Sequence, residues 1–270
     1  IYFLEKYKKN NQFSEVQFYE LGLSYYKLGD YNNAIENFNK IIELDNNISQ
    51  YVYYYLAQSY LSVNKKIEAA NAFKSSFDQF KILESKYNDY SSERLAENAF
   101  YNFALLCYEL ENSLYKPIDV FNAFIKQYPD SEKLSQIYSY LSLLYLKTSD
   151  YDNAVTVLEK NIQMEGVKEK IQSISYNRAI QLFNDKEYDK SISCFQKSIS
   201  YPVSNDLKIN AIFWSAEAYF LKKDYNKSIN ILNDLLLLDF DGNIKNEALY
   251  TLAYAHNYLE NHEFSNNFFN

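Results

Sequence analysis

The sequence predicts an all-α protein built as a linear stack of helical hairpins, on three observations. A phrase recurs along the chain, Leu21-Gly22, Tyr25, Asp30-Tyr31, Ala34 and Phe38 in its first form. In all but one step it recurs at roughly 35–39 residues, the range in which one supersecondary unit stacks on the next to bury an apolar face it cannot bury alone. Only 4 Gly and 3 Pro occur in 270 residues, too few to supply the turns of a sheet.

With Gly22 as anchor, the later small positions are Ala57, Ser142, Ala179, Ala216 and Ala255, with Leu105 the best fit in an irregular third unit. Three residues on come Tyr25, Tyr60, Tyr108, Tyr145, Leu182, Tyr219 and Tyr258. Twelve after the anchor stand Ala34, Ala69, Pro117, Ala154, Ser191, Ser228 and Asn267, and four further on Phe38, Phe73, Phe121, Leu158, Phe195 and Leu232.

Each unit therefore reads as two helices. The first carries the anchor. The second follows a turn such as Gly29-Asp30-Tyr31 or Lys223-Asp224-Tyr225, whose acid caps free N–H groups, while Pro117 suits a first helical turn. Small residues on both helices let them approach closely, and the aromatics fill the gaps between hairpins.

Residues 1–13 read as the remnant of a preceding repeat helix, 14–90 as two repeats, and 91–270 as repeats three to seven, the last truncated. In the second repeat, Ile67 to Tyr87 reads as one extended helix that breaks at Asn88-Asp89-Tyr90-Ser91-Ser92.

The pattern resembles the tetratricopeptide repeat family, in which a Leu-Gly, Tyr, Ala, Phe, Pro series recurs about every 34 residues. The resemblance implies a right-handed superhelical solenoid of about seven antiparallel helix pairs that binds other proteins or peptides and performs no catalysis. In this family the first helices line the concave face, which implies a partner groove containing Tyr19, Tyr26, Tyr54, Gln58, Tyr176, Phe183, Phe213, Glu217 and Phe220. Leu252, His256 and Leu259 take the corresponding places in the last unit. Members that grip acidic C-termini place Lys and Asn on this face. Here Tyr19 and Leu23 stand at those sites, which argues against that activity.

Residues Phe121-x-x-Phe124-Ile125-x-x-Tyr128-Pro129-Asp130-Ser131 resemble the longer repeats of bacterial outer-membrane assembly lipoproteins and tol-pal coordinators. The stretches 99–158 and 176–238 resemble long repeat proteins of bacteroidete envelopes. That implies a periplasmic or envelope-associated scaffold. The alternative is a cytoplasmic regulatory domain of a larger enzyme, sensor or transcriptional regulator.

Composition narrows the classes further. A net charge of −8 without a lysine stripe weighs against nucleic acid, which needs clustered cations. The longest apolar run, around Leu235 to Leu238, is far short of the ~20 residues of a membrane span. Cys107 and Cys194 read as small buried hydrophobes, and His256 and His262 have no partners at metal-ligand spacing, so no cofactor or metal is expected.

Overall fold

The computed structural model describes residues 1–2, 4–6, 13–42, 48–87, 92–110, 114–240 and 242–260, which are helix or connecting turn with no strand among them. The expected break at 88–91, most of the expected remnant helix, and His262 and Asn267 lie outside the described residues.

Thirteen helices run in order among the described residues. They are α1 (Glu15–Lys27), α2 (Tyr31–Asn39), α3 (Ser49–Ser62), α4 (Lys66–Tyr87), α5 (Glu93–Glu109), α6 (Pro117–Gln127) and α7 (Leu134–Lys147), followed by α8 (Tyr151–Glu159), α9 (Val167–Asn184), α10 (Tyr188–Ile199), α11 (Asn205–Leu221), α12 (Tyr225–Leu236) and α13 (Asn243–Tyr258). They fall into two compact units, residues 1–137 and 138–270, with the division inside α7. In the first unit each helix from α1 to α5 packs on its successor, and α3 also touches α1 and α5. In the second unit α8 to α13 pack in the same way, with α11 touching α9 and α13. Both units are thus all-α repeat solenoids in which consecutive first helices meet.

The hairpin contact is the one the periodicity predicts. Ala57, Ala179 and Ala216 on first helices, and Ala34, Ala69, Ala154, Ser191 and Ser228 on second helices, are wholly buried. So are the bulky partners Phe38, Phe73, Phe195 and Leu232, each of the order of 1.5–3 kcal/mol of transfer free energy. A Cβ added to Gly22 would lie 2.7 Å from Cε1 of Phe38, so that ring sits directly on the backbone of α1.

Two anchors need correction. The first helices α1, α3, α7, α9 and α11 all end five residues past their anchors. By that rule α5, ending at Glu109, is anchored at Ala104, and α13, ending at Tyr258, at Ala253; both are fully buried. Ring geometry agrees in the third unit. Tyr101 lies 6.1 Å from Phe124, matching Tyr19–Phe38 at 6.3 Å and Tyr54–Phe73 at 5.8 Å. Phe124 therefore takes the place assigned to Phe121, because the extra residues of this unit fall between α5 and α6.

The intra-hairpin turns share one design. Gly29, Asn64, Ser149, Lys186, Lys223 and Glu260, each seven past its anchor, adopt left-handed φ of 59–78°. At the first turn Gly29 N–H donates to Tyr26 O and Asp30 N–H to Tyr25 O, both at 3.0 Å, which is a Schellman closure of α1. Asp30, Asp150 and Asp224 then cap the following helices through the backbone N–H groups of Asn33, Asn153 and Lys227.

Two inter-hairpin connections are held by a buried glutamine. Gln172, 1% exposed, donates to Ser204 O and accepts from Ser204 N–H, both at 2.8 Å, while Ser198 Oγ donates to Gln172 O at 2.9 Å. Gln50 makes a related arrangement: its Nε2 donates to the carbonyl of Ser92, the residue before α5, at 3.3 Å, its Oε1 accepts from the Ser92 hydroxyl, and Ser76 Oγ donates to Gln50 O at 2.9 Å. Nothing in the apolar periodicity pointed to these two residues.

Replacing Gly22 with Ala should lower stability by about 1 kcal/mol, since overpacking of ~1–3 kcal/mol outweighs a helix-propensity gain of ~1 kcal/mol. Chemical denaturation checks it, and the loss should shrink in a Phe38→Leu background. Gln172→Ala should cost about 1–3 kcal/mol by orphaning the backbone N–H of Ser204, whose carbonyl still accepts from Lys208 N–H, read the same way against Gln172→Glu.

Candidate functional site

The first-helix positions proposed for the groove divide by what they touch. Those three residues before the anchor rest on their own hairpin. Tyr19 leans on Phe38, Tyr54 on Phe73, and Tyr176 on Phe195 at 5.9 Å. Burial, with Tyr55 and Tyr51 nearby, pushes the Tyr19 phenol up to about 12. Phe213 goes further. It is 3% exposed and belongs to a core with Leu232 and Leu252, so it is a floor residue and not a ligand-gripping one.

Positions four after the anchor bridge hairpins. Tyr26 packs on Tyr31 at 5.9 Å and on Tyr55 of the next first helix at 5.2 Å. Phe183 does the same with Tyr188 at 5.6 Å and Trp214 at 5.1 Å, and Phe220 with Tyr225 at 5.4 Å and Tyr258 at 5.8 Å. These rings join neighbouring units and leave only part of their surface open.

Positions one after the anchor are the variable ones. Gln58 Nε2 donates to the Tyr54 hydroxyl at 3.4 Å, joining two candidates within a cluster that also holds Tyr26 and Tyr55. Leu143 is 51% exposed. Glu217 is half-buried and accepts from the Thr251 hydroxyl. Burial pushes its carboxyl up, Thr251 opposes the shift, and neighbouring Glu247 adds to it.

In the second unit these positions open a cleft of about 530 Å³ between α11 and α13, lined by Phe213, Trp214, Glu217, Asn246, Glu247, Tyr250 and Thr251. Two of the sequence candidates, Phe213 and Glu217, meet there. The anchor correction explains why Tyr250 was missed, while Trp214, two before an anchor that stands, falls outside the positions taken as groove-facing. With Ala253 as anchor, Tyr250 and Tyr254 take the groove positions assigned to Leu252 and His256, while Leu252 is 1% exposed core. The Leu252-Ala253 pair, which copies Leu21-Gly22 and Leu56-Ala57, was the available signal.

A second hollow, about 460 Å³, lies among α4, α5 and the start of α6 in the first unit, where Phe77, Phe100, Phe103 and Tyr115 meet. Among the described residues no group of three His, Cys, Asp or Glu could hold a metal, and no helix is long and apolar enough to cross a membrane. Cys107 is buried; Cys194 is half-buried, and burial pushes its thiol up, away from the reactive thiolate.

Residues 16–48, spanning α1 and α2, match the tetratricopeptide repeat family. The first hairpin is thus a tetratricopeptide repeat. The later hairpins reproduce the anchor, ring and turn geometry of that first repeat. No curated protein matches the sequence. Similar solved structures include a tetratricopeptide repeat protein from Parabacteroides merdae, 15% identical over 95% of this chain and 99% of that one, with a TM-score of 0.45. The C-terminal part of a repeat-containing protein from Cytophaga hutchinsonii is 17% identical over 93% and 92%, at 0.38. MamA is 23% identical over 62% and 87%, at 0.44. The tetratricopeptide fold indicates a protein-interaction scaffold.

Phe213→Ala should cost about 3–5 kcal/mol and lower the melting temperature, whereas Tyr250→Ala, at a ring 57% exposed, should leave melting nearly unchanged. Thermal unfolding followed by circular dichroism separates the two.

Proposed function

We propose that the protein is a non-catalytic scaffold that binds segments of partner proteins along the first-helix face of its repeats, and that nucleic acid is not among its partners. One observation carries the reading. Along α11 and α13 a cleft remains open where Trp214 and Tyr250, a half-buried and an exposed aromatic, flank polar groups. Rigid aromatics beside hydrogen-bonding groups are what a protein-binding surface uses, because they bury much area for little side-chain entropy. A net charge of −8 disfavours a phosphate backbone as ligand.

We place the scaffold in a bacterial envelope or secretion-associated assembly. The support is the sequence resemblance of residues 99–158 and 176–238 to long envelope repeat proteins.

Photo-cross-linking in the native host tests both parts. A benzophenone amino acid at Tyr250 should give a discrete protein adduct recovered with the envelope fraction, and the same probe at Lys190, 70% exposed on α10, should not. Adducts at Lys190 alone, or at both sites alike, overturn the groove. Recovery of the adduct only with the cytosol overturns the compartment.

A further inference from the structure

We propose that the cleft between α11 and α13 receives a cationic side chain, arginine or lysine, from the segment that docks on the groove. The proposal rests on the groove reading above and names the chemistry of its ligand.

The geometry points to it in three ways. First, Glu217 occupies the variable position one past the anchor, where the other units carry Leu23, Gln58, Leu105, Leu143, Ile180 and Tyr254. It is the single carboxylate in that series, and it stands in the open cleft, not in a packed interface.

Second, its charge is uncompensated. Thr251 supplies a hydroxyl, but among the described residues no lysine or arginine lines the cleft, and the charge that acts on Glu217 there is a second carboxylate, Glu247. The contrast with other carboxylates of this unit is sharp. Burial works against Glu159 too, yet hydrogen bonds from Lys197 and Tyr201 hold it below the usual range; Lys190 and Lys227 do the same for Glu187 and Asp224. A partly desolvated carboxylate without a counter-charge costs free energy that an incoming cation recovers.

Third, the walls suit that cation. Trp214 and Tyr250 line the cleft together with the two carboxylates, and a guanidinium or ammonium gains from aromatic rings as well as from the opposite charge. The hollow of about 530 Å³ accommodates a long cationic side chain and the backbone that carries it.

Trp214 is the only tryptophan in the chain, so its fluorescence reports directly on the cleft. The intact chain is titrated with three blocked pentapeptides lacking Trp and Tyr, alternating Leu with Arg, with Gln or with Glu. The Arg peptide should shift Trp214 emission with an affinity at least about tenfold above the Gln peptide and weaken as salt rises, and the Glu peptide should not bind. Glu217→Gln keeps the acceptor for Thr251 and should remove most of the Arg preference; Glu247→Gln, on the exposed surface, should remove part of it. Equal binding of the Arg and Gln peptides overturns the cation assignment and leaves the groove standing. Silence of Trp214 towards all three overturns the cleft as a docking site. An Arg preference that survives both substitutions overturns the role of these two carboxylates.

Discussion

A bulky apolar side chain from the second helix, a ring in most units and leucine in the others, pressed onto a small residue of the first is the contact every hairpin depends on. Phe38 on Gly22 is its tightest form, with no room for even a methyl group. A larger anchor would push the helices apart and strand the ring against a void, and either defect costs kilocalories in a close-packed interior. Because the spacing within each hairpin is set there, the distance between successive first helices follows, and with it the width of any groove they line. The bridging rings Tyr26, Phe183 and Phe220 then meet partners on the next hairpin at 5.1–5.8 Å.

Polar bookkeeping at the helix ends keeps that spacing constant. The left-handed residue of these turns, joined in three of them by a capping Asp, satisfies donors and acceptors that a helix end leaves open, so the turn holds one geometry. At the connections that lead into α5 and α11, a buried glutamine reaches across to the residue just before the helix, Ser92 or Ser204. Gln50 and Gln172 are isolated polar residues in apolar surroundings, and they are tolerated because both ends of each amide find partners.

This division of labour explains how much of the molecule was legible. Anchor, ring and cap recur because every unit must solve the same packing problem, and Ala57, Ala179 and Ala216 with Phe73, Phe195 and Leu232 were readable directly from spacing. Register failed in the two units where a neighbour offered a competing pattern, at Leu105 beside Ala104 and at Ala255 beside Ala253. A one- or two-residue error on a helix turns the face by 100° or more, so Leu252 was read into the groove and Tyr250 out of it. Phe213 shows another limit. Its spacing matches that of Tyr54, yet its depth depends on how closely α13 lies over it.

The sequence by itself determined the all-α repeat, the identity of the helix-contact residues and the sites of the turns, because these are local or recur at a fixed period. Only the tertiary structure decided which half of each aromatic ring stays open, where two carboxylates share a cleft with Trp214, and which glutamines are buried. Those outcomes depend on distances between hairpins more than thirty residues apart, and hydrophobic periodicity carries no information about what stands opposite a side chain once the helices have packed.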